Sequence, residues 1–341
     1  MWDYLKTVTK PILLYGMGNG AEKIMEQLRL RGIPIAGVFA SDGFVRGHSF
    51  AGFPVLPYSE AKEKWGSMCV LLCFGSQRPE VMETIRCVAK EQELLAPEVP
   101  VVGGGLFTRG YAAKHQGELE TVYHALADEQ SRLTFRNVIE YKLTGHIESL
   151  LACETPPEEA YKNILCLTEK EIYLDLGAYT GDTIRQFIEA VGEYRQIYAV
   201  EPDPKTFSKL KKNTAKLHDC VLFQMGIHDT YAQMPFAAHA GRNSVLDTSG
   251  RITEMDSVDH LLCGREVTYI KMDVEGQEAK AIEGARETVR RHKPKMLVSA
   301  YHRTEDIFDL PLRVLAIRPD YRVYLRHYPY LPAWDTNYYF I

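Results

Sequence analysis

The 341-residue chain has no apolar run near the roughly 20 residues that a membrane-crossing helix needs. Its opening residues, Met1-Trp-Asp-Tyr-Leu-Lys6, lack the basic start and apolar stretch of a secretory signal. A cytoplasmic protein with no membrane partner is therefore expected. Positive charge is not in surplus either: 40 Lys and Arg against 45 Asp and Glu give a net charge of −5, which argues against nucleic acid as a partner. The one basic run, Lys209, Lys211, Lys212 and Lys216, has the spacing of a solvated helix face. Seven cysteines are present, none at zinc-finger spacing, and Cys69 and Cys73 flank an apolar run in which their thiols read as small core side chains. What is left is a soluble globular composition, 25% charged and 45% hydrophobic, long enough for two domains with a core each.

Two segments alternate apolar strands with amphipathic helices, and the stretch between them does not. The first opens on Ile12–Tyr15, passes through Gly16-Met-Gly18-Asn-Gly20-Ala21 into a helix carrying Ile24 and Leu28, and continues with strands at Ile35–Phe39 and Cys69–Phe74 and a helix from Pro79 to Lys90. Residues 103–170 carry helical spacing at Leu119, Val122, Tyr123 and Leu126, with breaks at Gly103-Gly-Gly105 and Thr155-Pro-Pro157. From Glu171 the alternation returns, with strands expected at Ile172–Leu176, Gln196–Val200, Cys220–Gln224, Val267–Met272, Met296–Ala300, Tyr321–Leu325 and Asn337–Phe340. The chain thus reads as α/β throughout: a Rossmann-like domain over 1–102, a helical connector over 103–170 and a seven-stranded Rossmann-like domain over 171–341.

The second Rossmann-like unit begins with strand, turn and helix written Tyr173-Leu-Asp175-Leu-Gly177-Ala178-Tyr179-Thr180-Gly181-Asp182-Thr183, followed by Ile184, Phe187, Ile188 and Val191 at helical spacing and a stop at Gly192. Glycines let the backbone approach a ligand, and Asp175 at the strand end can face an ammonium or hydroxyl group. Glu201, closing the next strand before Pro202 and Asp203, suits the two hydroxyls of a ribose. Two acids in the turn would repel a pyrophosphate, so the site fits a ligand with an ammonium and free ribose hydroxyls but no phosphate, namely S-adenosylmethionine, better than a dinucleotide. The competing reading, a capped turn with no ligand and Asp182 serving the helix N-terminus, weighs less once Glu201 is in register.

Asp175–Thr183, Val200-Glu-Pro-Asp203, Tyr269-Ile-Lys-Met-Asp-Val-Glu-Gly-Gln-Glu278 and Leu325-Arg-His-Tyr328 together resemble the FkbM-type methyltransferases, with Ile270-Lys-Met-Asp-Val-Glu-Gly276 the most specific phrase. The likeness spans about Glu171 to Ile341, and Ala125–Ser131 is similar to segments that precede this domain in some members. Gln277, where an apolar or small residue is usual, is the visible departure. The resemblance implies a class I seven-stranded fold, S-adenosylmethionine as cofactor, and O-methylation of a sugar, glycan or natural product. It also implies that Gly226 and Ile227 line the adenine and that Ser244, in the loop Arg242-Asn-Ser244, lies near the cofactor.

Methyl transfer requires an aligned acceptor oxygen and, where needed, a base. Lys271, Asp273 and Glu275 sit at the C-terminal end of the strand where such sheets open their crevice, and alternation puts Lys271 and Asp273 on one side. Asp273 is the first candidate for orienting acceptor or cofactor, Lys271 is a second catalytic candidate, and His302 is a candidate base, weighed evenly against a loop histidine bonded to backbone. Asp273 and Glu275 could share a cation, but no third ligand is evident, so no metal is expected. The aromatic tail from Tyr321 to Tyr339 reads mainly as packing. Gly16–Ala21 lacks the third dinucleotide glycine, and Gly43, Gly47 and Gly52-Phe-Pro-Val-Leu56 resemble the nucleotide-sugar-holding domains of sugar acyltransferases. This leaves open a nucleotide-linked acceptor, a packing or homodimerisation role for the first domain, a nucleotide-dependent oxidoreductase or epimerase, and a noncatalytic binding protein with an idle cofactor fold.

Overall fold

A computed structural model describes residues 1–45, 47–237, 245–246 and 251–341. The first sheet is built from β1 (Ile12–Tyr15), β2 (Gly37–Ala40), β3 (Ser49–Phe50), β4 (Phe53–Pro57), β5 (Cys69–Leu72) and β6 (Glu93–Leu95), in the order β3-β4-β2-β1-β5-β6. All its pairings are parallel except β3 with β4. The expected glycine turn follows β1, and two of its three glycines are required by packing. A Cβ on Gly20 would stand 2.5 Å from the Cys73 carbonyl oxygen, and one on Gly16 would strike the Phe74 ring.

The second large sheet contains β7 (Ile172–Leu176), β8 (Gln196–Val200), β9 (Cys220–Phe223), β14 (Tyr269–Met272), β15 (Lys295–Ser299), β16 (Val323–His327) and β17 (Thr336–Phe340). Their order is β16-β17-β15-β14-β7-β8-β9, with β17 antiparallel to both its neighbours and the other strands parallel. The central strands read Ile-Tyr-Leu-Asp-Leu and Tyr-Ile-Lys-Met and are buried at every position, the near-continuous apolar pattern of a parallel sheet covered on both faces. Between β9 and β14 the chain makes a small third sheet of β10 (Gly226–Ile227), β11 (Ala232–Ala237), β12 (Val245–Leu246) and β13 (Arg251–Asp256), which the sequence reading took for a loop. Ser244 lies outside the described residues.

The connector is helical over Arg109–Lys114, Gln116–Ala125, Glu129–Thr144 and Ile147–Leu151, and ends in a short helix, Pro157–Glu159, that runs into a π-helical stretch, Ala160–Leu165. It does not merely link. One hydrophobic cluster runs from Leu13, Phe39 and Val70 of the first sheet through Val122, Phe135 and Ile147 of the connector to Leu174, Ile270 and Val298 of the second. Each sheet also keeps a cluster of its own, around Leu14, Ile24 and Leu71 on the first and Tyr173, Phe187 and Tyr269 on the second, while the connector helices join the remaining faces.

The connector also covers the exposed edge of β16, where unpaired backbone would otherwise invite association. Ala127 N–H donates to Val323 O and Thr155 N–H to His327 O. Arg326, 2% exposed, reaches from β16 to Asp128 (Nη2–Oδ2 2.7 Å), Glu159 (Nε–Oε2 3.0 Å) and the Ser131 hydroxyl (2.9 Å). Replacing Arg326 with Met leaves two partly buried carboxylates without their cation. The expected loss is about 3 kcal/mol of unfolding free energy, read as a lower urea midpoint at unchanged m-value.

Candidate functional site

The site starts from two charges in strands that tolerate none alone. Asp175 and Lys271 are paired across β7 and β14 in register, 0% and 6% exposed, with Lys271 Nζ 3.4 Å from Asp175 Oδ1. Burial lifts the Asp175 carboxyl above its ordinary range, and Lys271 and the Thr183 hydroxyl, which donates to Oδ2 at 2.5 Å, pull it part of the way back. Burial alone would depress Lys271; Asp175 and then Asp273 outweigh it and hold the ammonium above its ordinary value. Nζ also donates to Gly177 O at 2.9 Å and lies 3.9 Å from Asp273 Oδ2. Lys271 thus serves as the counter-ion of Asp175 while also standing on the wall of the adjoining cavity.

Gly177 has φ +80°, and a Cβ there would stand 1.9 Å from the Asp273 carbonyl oxygen, so only glycine lets the ends of the two central strands meet. The turn then climbs over β8: Gly177 and Ala178 N–H both donate to Val200 O, and Tyr179, itself at φ +48°, donates its N–H to Glu201 Oε2 at 3.0 Å. The other oxygen, Glu201 Oε1, accepts from Asp203 N–H at 2.9 Å. Each carboxylate oxygen keeps a second lone pair, and Glu201 lines the adjoining cavity. Burial pushes its pKa from 4.5 to about 7, partly opposed by the two backbone donors.

That cavity has a volume of about 860 Å³. Among the expected cofactor residues, Gly177, Tyr179, Asp182 and Thr183 line it from the turn, Glu201 and Pro202 from beyond β8, and Gly226 and Ile227 from β10. Asp175, Ala178, Thr180 and Gly181 are not on its wall. Asp175 is turned inward to Lys271, Ala178 is in the core at 0% exposure, the Thr180 carbonyl accepts from Asn213, and Gly181 (φ +87°) starts the helix. Asp175, expected to face an ammonium or hydroxyl, here holds Lys271 and Thr183 behind the cavity wall.

Asp273 lies on the wall, with Tyr301 O–H donating to its Oδ1 at 3.3 Å. His302 stands behind it, 1% exposed, with Nε2 3.5 Å from Asp273 Oδ1 and 3.4 Å from Glu275 Oε2, and Nδ1 3.1 Å from Glu278 Oε1. Burial alone would lower the imidazole pKa, but Glu278, Glu275 and Asp273 together raise it well above its ordinary value. The candidate base of the sequence is therefore an enclosed ring, held among three carboxylates behind the cavity wall. The far wall was not foreseen. Glu158, Tyr161 and Lys162 come from the end of the connector, Tyr328, Asp335 and Asn337 from around β17, and Gln77 from the first sheet's side. No sequence pattern marks the connector residues, although the break at Pro156-Pro157 is where that wall begins.

Residues 175–330 match the family model described as the methyltransferase FkbM domain. The 2-O-methyltransferase NoeI of Sinorhizobium fredii is 25% identical over 197 residues, 48% of this chain and 79% of that protein. The crystal structure of methyltransferase FkbM from Methylobacillus flagellatus superposes with a TM-score of 0.76 at 22% identity, covering 100% of this chain and 92% of that one. The fold over the full length, first sheet and connector included, is that of the latter protein.

Glu201 gives the site a testable electrostatic signature. Its folded carboxyl binds the proton more tightly than the unfolded one, so the ligand-free protein is expected to lose stability as pH rises from 4.5 to about 7. Denaturant midpoints at about pH 5 and about pH 8 should differ less in Glu201→Gln than in the parent; an equal difference in both would remove this assignment.

Proposed function

We propose, from the premise that residues 175–330 form a methyltransferase FkbM domain and that the protein is a methyltransferase, that it transfers the methyl group of S-adenosylmethionine to a hydroxyl of an uncharged, polyhydroxylated acceptor. The observation that carries this reading is one continuous cavity bounded by Glu201 at one end and by Asp273, Tyr328 and Asn337 at another. When bound, the cofactor supplies a methyl group on a sulfonium, already activated toward an oxygen nucleophile. Glu201 has free lone pairs for both ribose hydroxyls, Gly226 and Ile227 flank the place for the adenine, and the acidic turn favours a cationic amino-acid end. Asp273, held by Tyr301 and backed by His302, accepts a hydrogen bond from the acceptor hydroxyl and orients its oxygen for in-line attack. In this account 1–102 and the connector 103–170 complete the acceptor side, and the seven strands after Glu171 form the class I cofactor side.

The acceptor's charge follows from the wall. Besides the residues of the turn, Glu158, Glu189, Asp273, Glu275 and Asp335 line the cavity, against Lys162 and Lys271, which is paired with Asp175. That balance repels a phosphate, which sets a nucleotide-linked acceptor behind a neutral sugar, glycan or natural-product hydroxyl. NoeI, by its name, is a 2-O-methyltransferase, in keeping with oxygen as the nucleophile.

Two measurements test the proposal. Calorimetry should find S-adenosylmethionine binding, with affinity rising as pH passes through about 7 because the ribose hydroxyls donate to the ionised Glu201. Binding of NAD in its place would overturn the cofactor assignment. Asp273→Asn should lower kcat by about 10²-fold or more, in assays of labelled methyl transfer to neutral glycans, while cofactor affinity changes little. An unchanged kcat would end its proposed role.

A further inference from the structure

We propose that Asp273, Glu278 and His302 form a divalent-cation site at the edge of this cavity; its functional meaning rests on the methyl-transfer reading, its existence does not. Each of the three brings one donor atom within 4.8 Å of the others, the first from the end of β14, the second from the start of the helix Glu278–Gly284 and the third from just beyond β15. Two carboxylate oxygens and an imidazole nitrogen suit Mn²⁺ or Zn²⁺, with Mg²⁺ a weaker match to the nitrogen.

One buried atom points to an occupant. Glu278 is 0% exposed; its Oε1 accepts from Val274 N–H at 2.8 Å and lies 3.1 Å from His302 Nδ1, yet its Oε2 has no hydrogen-bond partner. A buried carboxylate oxygen left this way costs free energy that coordination would recover. The ring is also placed as a ligand: it has carboxylates on both sides, so one nitrogen can release its proton to solvent and coordinate while the other keeps the carboxylate that fixes its orientation.

The charge balance agrees. Asp273, Glu275, Glu278 and Asp306 surround the single imidazole, Lys271 is committed to Asp175, and Arg303 Nε donates to the Gly276 carbonyl. Access is through the cavity, because Asp273 and Glu275 both line it, and Glu275, at φ +53°, stands 3.4 Å from His302 Nε2 as a further donor. An ion here would sit beside the residue assigned to the acceptor oxygen, where it could bind that hydroxyl and ease loss of its proton.

The test uses the full chain, stripped with a chelator and titrated with MnCl₂ without cofactor or acceptor, reading the loss of the free Mn²⁺ electron paramagnetic resonance signal. One saturable site per chain is expected. Its affinity should fall at least tenfold in Glu278→Gln and in Asp273→Asn and hold in Glu189→Gln, which removes an acid from the same cavity. Absence of saturable binding in the parent protein overturns the proposal, as does equal weakening in Glu278→Gln and Glu189→Gln, the sign of diffuse attraction by an acidic wall. A chain that binds Mn²⁺ but not S-adenosylmethionine would keep this site while refuting the function proposed above.

Discussion

The ion pair between Asp175 and Lys271 is the constraint on which the rest of the site depends. Two unit charges on the central strands of a parallel sheet are tolerable only against each other, and the register of β7 on β14 puts them side by side. From that pair the neighbouring geometry follows. Lys271 draws in the Gly177 carbonyl, Thr183 ties the following helix to Asp175, and Gly177 lets the Asp273 carbonyl come against the turn. The crevice where β7 and β14 end is thus fixed by contacts among the residues of the turn and the two strand ends themselves.

On the function proposed above, the cavity around this fixed centre divides into a cofactor half and an acceptor half of different origin. The cofactor half is local: one turn, the end of the next strand and a short strand that closes the far side. The acceptor half is assembled from the end of the connector, the region around β17 and the first sheet, held together by the shared core and by Arg326. This explains why the connector is packed against the edge of β16 and does not hang free: a wall of the cavity continues directly from it.

What the sequence made legible was what is local. The strand, turn and helix from Ile172 to Val191 lie where apolar spacing and glycine put them, and the strand ends differ from expectation by one or two residues. Alternation also correctly placed Lys271 and Asp273 on one side. It could not show that Lys271 faces Asp175, because that depends on register between strands almost a hundred residues apart. Nor could it show the carboxylates around His302, because Glu275 and Glu278, which enclose it, come from another segment. Ala178, Thr180 and Gly181 belong to the turn but point away from the cavity, a distinction set by dihedral angles such as φ +48° at Tyr179 and φ +87° at Gly181. The π-helical stretch Ala160–Leu165, from which Tyr161 and Lys162 enter the cavity, has no sequence signature that apolar periodicity detects.

The central claim is that the crevice between the Gly177–Thr183 turn and Asp273 holds S-adenosylmethionine with its methyl group directed at the acceptor half. A crystal structure of the protein soaked with the cofactor tests it most directly. The account predicts both ribose hydroxyls on Glu201, adenine beside Gly226 and Ile227, and the sulfonium methyl facing the space between Asp273 and Tyr328. Cofactor density at the Gly16–Ala21 turn of the first sheet, or in this cavity with Glu201 untouched, would contradict it.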